Sequence, residues 1–325
     1  YTLKVTDRNI NASDNWKMYF SDPEGSFNKL DNLHFFEPLN SFFTTIKRGG
    51  AGNTGGSNII YPNFNDTPFS GIDISNKGYG IKNSRSQRNL ILTTTDLNIE
   101  KAIHFPTTYD DSSVNGLASA NQIDTSLNSL FTTNNRINSS RWKRIVNSSF
   151  RSKVAFDILI PRAERTKHSC YFNPFPNDVM LSTNFFYFSG LINANTDPQI
   201  SVINQKKFIA AFLNSSFGQI QFEIHSNNQE GLRKLEGFHI NEFKIPDLKK
   251  LTKSEIDTVV SKFDALNSKN VIISGDEGIV TARRELDEQI ASIIFNKDNL
   301  GFSSSIQLTN FFELFLADLV EDRRL

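Results

Sequence analysis

A single cysteine, Cys170, stands among 325 residues. No intramolecular disulfide can form, and no cysteine-based metal cluster exists. A reducing, cytoplasmic setting is the expectation. Methionine and tryptophan are nearly as scarce, with two of each. Against these stand 29 phenylalanines and a hydrophobic content of 38%, so Phe must carry much of the core. No apolar run approaches the roughly 20 residues that a membrane helix needs. No signal peptide opens the chain, and it begins at Tyr1 instead of Met; a fragment of something longer is expected. The five histidines, His34, His104, His168, His225 and His239, do not pair at metal-ligand spacing. No serine sits in a G-x-S-x-G elbow, which excludes that route to acyl transfer.

A nucleotide cradle is missing too, although one loop imitates it. "IKRGGAGNTGGSN", residues 46–58, holds five glycines and the Lys47–Arg48 pair. A P-loop places Gly-Lys after its glycines; here the basic pair comes first. Gly50, Gly52 and Gly55 satisfy G-x-G-x-x-G, but that pattern must lie between a strand and a helix. Pro62 and Pro68 follow, and neither continues a regular helix. The remaining readings are a turn or linker, and a loop whose glycines let the backbone come close to a partner.

What is present falls into two parts. The first ~200 residues read as strands and loops. "NLILTTTDL", "KVAFDILIP" and "DVMLSTNFFYFSGLI" have the length and the β-branched or aromatic content of strands. "SSRWKRIVNSSFRSK", residues 139–153, reads as an exposed loop anchored by Trp142 and Phe150. Helices follow. Residues 204–224 fit an amphipathic helix packed on both sides. "GLRKLEGFHINEFKIPDL" alternates like a strand until Pro246. Thr252 and Glu255 form a capping box for the next helix, whose stripe is Ile256, Val259, Val260 and Phe263. Two more apolar-faced helices begin near Thr281 and Ile306. The expected fold class is α+β: a β-rich lobe, then a helical C-terminal part. The expected division is an opening segment 1–30, a main domain 31–250 and a helical part 251–325 for packing or partner docking.

Formal net charge is zero, but it is unevenly spread. Between Asn134 and His168 nine basic side chains face two acidic ones, a local charge of +7. From Thr252 to Asp298 there are six basic and nine acidic residues, a local −3. A basic band beside an acidic tail suggests a polyanionic partner.

An ordered set of motifs now resembles one family: the C-terminal target-recognition region of adenine-specific DNA methyltransferases from restriction–modification systems. The pieces are "LNSFFTTIKRGGAGNTGGSN", the Ile158–Arg162 segment "ILIPR", "STNFF" from Ser182, "FIAAFLNSSFGQIQFEI" and the segment ending in "KIPDL". "NWKMYF", near the start, resembles the entry to that region. The catalytic half of such enzymes carries a glycine-rich cofactor motif and an Asn- or Asp-Pro-Pro-Tyr or Phe motif; neither occurs. "NPFPND" splits its prolines with Phe175. The resemblance therefore implies sequence-specific recognition of double-stranded DNA by a chain that is not itself catalytic. No cofactor belongs to this chain. S-adenosylmethionine is implied only for a fused or partner methylase, and the partners implied are DNA and a methyltransferase or nuclease domain or subunit, with no membrane.

Candidate DNA-binding residues follow from this. Lys47, Arg48, Arg141, Lys143 and Arg144 would meet phosphates, with Gly49, Gly50, Gly52 and Asn53 in the approaching loop. Base reading needs Arg, Lys, Asn or Gln in the major groove; the candidates are Arg85, Gln87, Arg88, Arg136 and Asn138. Two readings stay beside this one. A metal-dependent restriction nuclease fragment would use Glu242-x-Lys244, though no aspartate lies between Gln199 and Glu242 to complete it. A structural β-rich interaction protein suits the Asn- and Ser-rich strands but not the helical tail or the basic band.

Overall fold

The computed structural model describes residues 34–51, 57–66, 69–71, 77–84, 87, 89–94, 97, 102–104, 139–165, 168–175, 177–229, 232–269, 277–298 and 300–322. Their strands are β1 (Phe36–Pro38), β2 (Phe43–Arg48), β3 (Lys77–Gly78), β4 (Gly80–Ile81), β5 (Ala102–Ile103), β6 (Lys153–Val154), β7 (Ile158–Pro161), β8 (Ala163–Glu164), β9 (Tyr171–Phe172), β10 (Val179–Leu181), β11 (Phe185–Leu191), β12 (Asn227–Gln229), β13 (Leu232–Lys234) and β14 (Lys244–Pro246). The helices are α1 (Ser57–Ile60), α2 (Ser139–Arg151), α3 (Val202–Asn214), α4 (Ser216–His225), α5 (Gly237–Ile240), α6 (Lys253–Asn267), α7 (Glu277–Lys297) and α8 (Ser305–Asp322). The expected α+β class holds, with the long helices in the C-terminal part.

The central sheet is antiparallel, in the order β2–β11–β7–β9. Pleating sends successive side chains to opposite faces, and both faces are covered. Phe186 and Phe188 of β11 join Ile158 and Ile160 of β7 in the main core, while Phe185 and Tyr187 join Leu159 in a second cluster on the other face. A strand buried on both sides reads as a continuous apolar run, as "ILIP" and "FFYF" do. Smaller sheets surround it: β4–β10–β6, β12–β13–β8, β1–β14 and β3–β5.

The main core continues from the sheet into the helices. α6 packs on α3, α8 on α4, and α7 on both α6 and α8. Phe217 of α4 and Phe312 of α8 place their ring centroids 3.9 Å apart. Leu248, Leu251 and Ile256 lie in one cluster with Phe42 and Phe188, so apolar packing runs unbroken across position 250. Phenylalanine carries the core as expected: most of the largest fully buried side chains are Phe.

Several local expectations need correction. Residues 139–151 form a helix, not an exposed loop: Ile145, Val146 and Ser149 give it a buried face at helical spacing. Residues 204–224 form two helices. Ser215 leaves the helical region (φ −72°, ψ 167°) and serves both, with its N–H bonding back to Ala211 and Phe212 and its side chain capping Gly218 N–H. The alternating stretch from Leu232 is not one strand, because the helical turn α5 separates β13 from β14. "DVMLSTNFFYFSGLI" turns at Ser182–Asn184, leaving β10 and β11 in different sheets, and "KVAFDILIP" splits likewise into β6 and β7. "NLILTTTDL" supplies only an isolated bridge, Ile91 to Phe172, among its described residues. The Thr252–Glu255 capping box forms as read: Glu255 N–H donates to Thr252 Oγ1 at 3.2 Å, and Thr252 N–H to Glu255 Oε2 at 2.7 Å.

Candidate nucleic-acid interface

β2 forms one edge of the central sheet and carries Lys47 and Arg48 at its end, both exposed. Their register is fixed by β11: Lys47 lies opposite Tyr187 and Arg48 opposite Phe186. Arg48 Nε donates to the Thr183 carbonyl oxygen at 2.7 Å, which ties this corner to the β10–β11 turn.

That turn sits beside a cluster the sequence reading did not assemble. Arg162, just past β7, is pinned through its backbone on both sides. Its N–H donates to Asn184 O at 2.6 Å, and its carbonyl accepts from Leu235 N–H at 2.8 Å. Its Nη2 reaches Glu236 Oε1 at 2.5 Å, and Lys234 Nζ approaches the same oxygen at 3.4 Å. Partial burial works against ionisation of Glu236, but the bond from Arg162 and the charges of Arg162 and Lys234 outweigh it and hold the carboxyl below its ordinary range. Burial and then the neighbouring Arg162 lower the pKa of Arg48, with Glu236 opposing. Beneath, β13 is fastened to α4 by the fully buried pair Arg233–Glu223, 2.9 Å apart. The result is a rigidly mounted basic corner with a carboxylate at its centre. Beside it opens a cleft of about 370 Å³, lined by Asn83, Ser84, Arg162, Glu164, Arg165 and Asn184 among others.

The glycine loop leaves β2 and runs onto β10. Gly49 N–H donates to Phe185 O at 2.9 Å and Ala51 N–H to Leu181 O at 3.0 Å. A Cβ on Gly49 would overlap the Ser182 carbonyl oxygen and come within 2.8 Å of that of Leu181. Gly49 is buried. The close backbone approach that it permits is to the chain's own strand. The Gly50 carbonyl accepts from Ser148 Oγ of α2 at 2.8 Å, and Ser149 Oγ of the same helix donates to Ile103 O at 3.3 Å. The loop that follows Lys47–Arg48 is thereby joined to α2, the helix on which Arg141, Lys143 and the exposed Arg144 lie.

The other candidates are placed differently. Gln87 is buried, only 1% exposed. Arg85, Arg88, Arg136, Asn138, Gly52 and Asn53 lie outside the described residues. Glu242 lies in the turn after α5 and Lys244 in β14, so they do not share a strand. Among the described residues no group of three His, Cys, Asp or Glu side chains is arranged to hold a metal ion, and no helix is long and apolar enough to cross a membrane. Arg162 was readable only as the polar end of "ILIPR"; its convergence with Glu236 and Arg48 depends on long-range pairing that no local pattern encodes.

Comparison with known proteins bears on the chain as a whole. The family described as restriction endonuclease BpuSI, specificity domain, matches residues 47–271. Among solved structures, the type IIG restriction endonuclease BpuSI superposes with a TM-score of 0.66 at 18% identity, over 95% of this chain and 34% of that one. The type IIL restriction-modification enzyme MmeI, solved in complex with DNA, gives 0.48 at 9% identity, over 86% of this chain and 35% of that one. The chain thus spans about a third of the length of each. No curated protein sequence matches it. With more than half its residues covered by the family match, the chain belongs to the BpuSI family of restriction endonuclease specificity domains.

Proposed function

We propose that this domain gives a restriction–modification enzyme its DNA sequence specificity by docking the β2 corner and α2 on duplex DNA. The observation that carries the reading is the junction of Gly50 with Ser148, which brings two basic segments into one lobe. Lys47, Arg48, Arg141, Lys143 and Arg144 contact phosphates, which set affinity and register but not sequence. Methyl transfer and cleavage belong to another part of a longer chain or to a partner subunit, and S-adenosylmethionine is needed only there. The cytoplasm is the setting in which such an enzyme meets its DNA.

The test is selection from a randomised duplex library by the purified protein, followed by binding isotherms over a salt series. Enrichment of one short sequence, with affinity falling steeply as salt rises, is the expected result. Binding that is equal for all duplexes would remove the specificity claim, and absence of binding would remove the DNA claim. In the same preparation, no labelled methyl should pass from S-adenosylmethionine to DNA.

A further inference from the structure

Resting on that DNA reading, we infer that the cleft beside the β10–β11 turn reads base edges, and that Arg162, oriented by Glu236, contacts a guanine. The chemistry of the cleft separates this from a phosphate site. Phosphate contacts call for cations and N–H groups. A carboxylate there would repel the ligand. This cleft mixes guanidinium, amide and hydroxyl groups with Glu164 on its wall and Glu236 behind Arg162. That mixture is the set that distinguishes base pairs in the major groove: Arg for guanine, Asn for adenine, Glu for cytosine. Lys47 makes the contrast. It is exposed and has no ion pair among the described residues, the condition of a side chain that meets phosphate.

The mounting of Arg162 suits direct readout. Its backbone is bonded to the β10–β11 turn and to the residue following β13, so its Cα cannot drift. Glu236 takes one N–H of the guanidinium and sets its plane. Nε is buried, but the side chain keeps 21% of its surface exposed, and Glu236 takes only one of its N–H groups, so Nη donors are left for a ligand. A planar fork held at a fixed angle presents two parallel N–H groups, and guanine answers with O6 and N7. Asn184, exposed on the same turn, is anchored by its Nδ2 to the Lys82 carbonyl at 3.1 Å.

The experiment uses the duplex selected by the wild-type protein and all its single base-pair substitutions, with Arg162→Lys, Arg162→Ala and Glu236→Gln variants. Lysine keeps the charge and loses the fork. If Arg162 reads guanine, Arg162→Lys lowers discrimination at one G·C position by roughly 5- to 150-fold and leaves random-duplex affinity and the salt slope unchanged. Glu236→Gln relaxes the same position by a smaller factor, and thermal unfolding confirms that each variant folds. Two results overturn the inference. One is Arg162→Lys near wild type at every position with Arg162→Ala weakening all duplexes alike, the signature of a phosphate contact. The other is relaxation spread evenly over the site. A wild-type protein that enriches no sequence would instead remove the DNA-reading function, and this inference with it.

Discussion

A methyl group added to Gly49 would have to displace the Ser182 and Leu181 carbonyls, which are backbone. The same addition at Gly50 meets only Ser152 Oγ, with Ser152 Cβ at an ordinary 3.5 Å. The two neighbouring glycines therefore differ in what must yield. Gly49→Ala should destabilise the fold by about 1–3 kcal/mol, the usual cost of overpacking. Gly50→Ala should cost less, and Ser152→Ala should recover much of the loss when combined with it, a coupling expected only between residues in contact. Chemical denaturation of the four variants measures this. If Gly49→Ala kept full stability and lost only DNA affinity, the glycine would serve the ligand and not the strand beneath it.

At the scale of elements, α2 and the α3–α4 pair make separate claims. α2 carries Arg141, Lys143 and Arg144 on one helix docked through Ser148 and Ser149. Each neutralised phosphate contributes about −0.9 to the slope of log affinity against log salt. Replacing all three by alanine should flatten that slope by roughly 2 to 3 units and weaken every duplex alike. An unchanged slope with the fold intact would return this helix to ordinary surface. At the α3–α4 break, Asp287 of α7 accepts from the N–H and the hydroxyl of Ser216, at 2.7 and 2.6 Å. Burial raises its pKa from 3.8 to about 6; the Ser216 bonds and Arg283 oppose this, and Glu313 adds to it. The folded state thus holds this proton more tightly than the unfolded chain. That contribution is complete below pH 3.8 and is lost as pH rises through about 6. The shift corresponds to about 3 kcal/mol. Asp287→Asn, which cannot ionise, should remove it: the stability of wild type relative to the variant should fall by about that amount between pH 4 and pH 7. Parallel pH profiles for the two proteins would refute it.

The same elements show what the sequence could convey. The Thr252 cap, the Phe-rich core and the α+β order were legible because each rests on local spacing or composition. α2 was misread because its basic and polar face masked a short buried stripe, Ile145 and Val146 with Ser149. The break at Ser215 was hidden because apolar residues on both sides continue one helical period, while the carboxylate that takes the Ser216 N–H lies 71 residues away. Lys47, Arg48 and Arg144 were chosen from charge, and all three lie exposed. Arg162 and Glu236 were not brought together, because 74 residues separate them and only the β8–β13 pairing closes that distance.

For the whole molecule, the sequence suggests a boundary near residue 250, and among the described residues apolar packing crosses that position. The block from Thr252 onward is net acidic, and two of its lysines are paired within it: Lys253 with Asp257, and Lys262 with Glu285 at 2.9 Å. Charge reversal at Lys253 or Lys262 should therefore leave DNA affinity and its salt slope unchanged, at a cost of less than about 1 kcal/mol in stability for each exposed pair. Deletion should behave quite differently. α4 is buried along nearly its whole length and α3 from Phe208 onward, and α6 and α8 pack on them. Ending the chain after Leu251 would strip Phe208, Phe212 and Phe217 of partners such as Phe263 and Phe312 in the main core, at about 25 cal/mol for each Å² of apolar surface returned to water. The intact protein should unfold in one transition, with far-ultraviolet and aromatic signals coinciding. The shortened chain should show no cooperative transition and no sequence-specific DNA binding. A shortened chain that melts sharply and still selects its duplex would show that the helices form a separate unit, free to serve the rest of the enzyme while the β-rich lobe reads DNA alone.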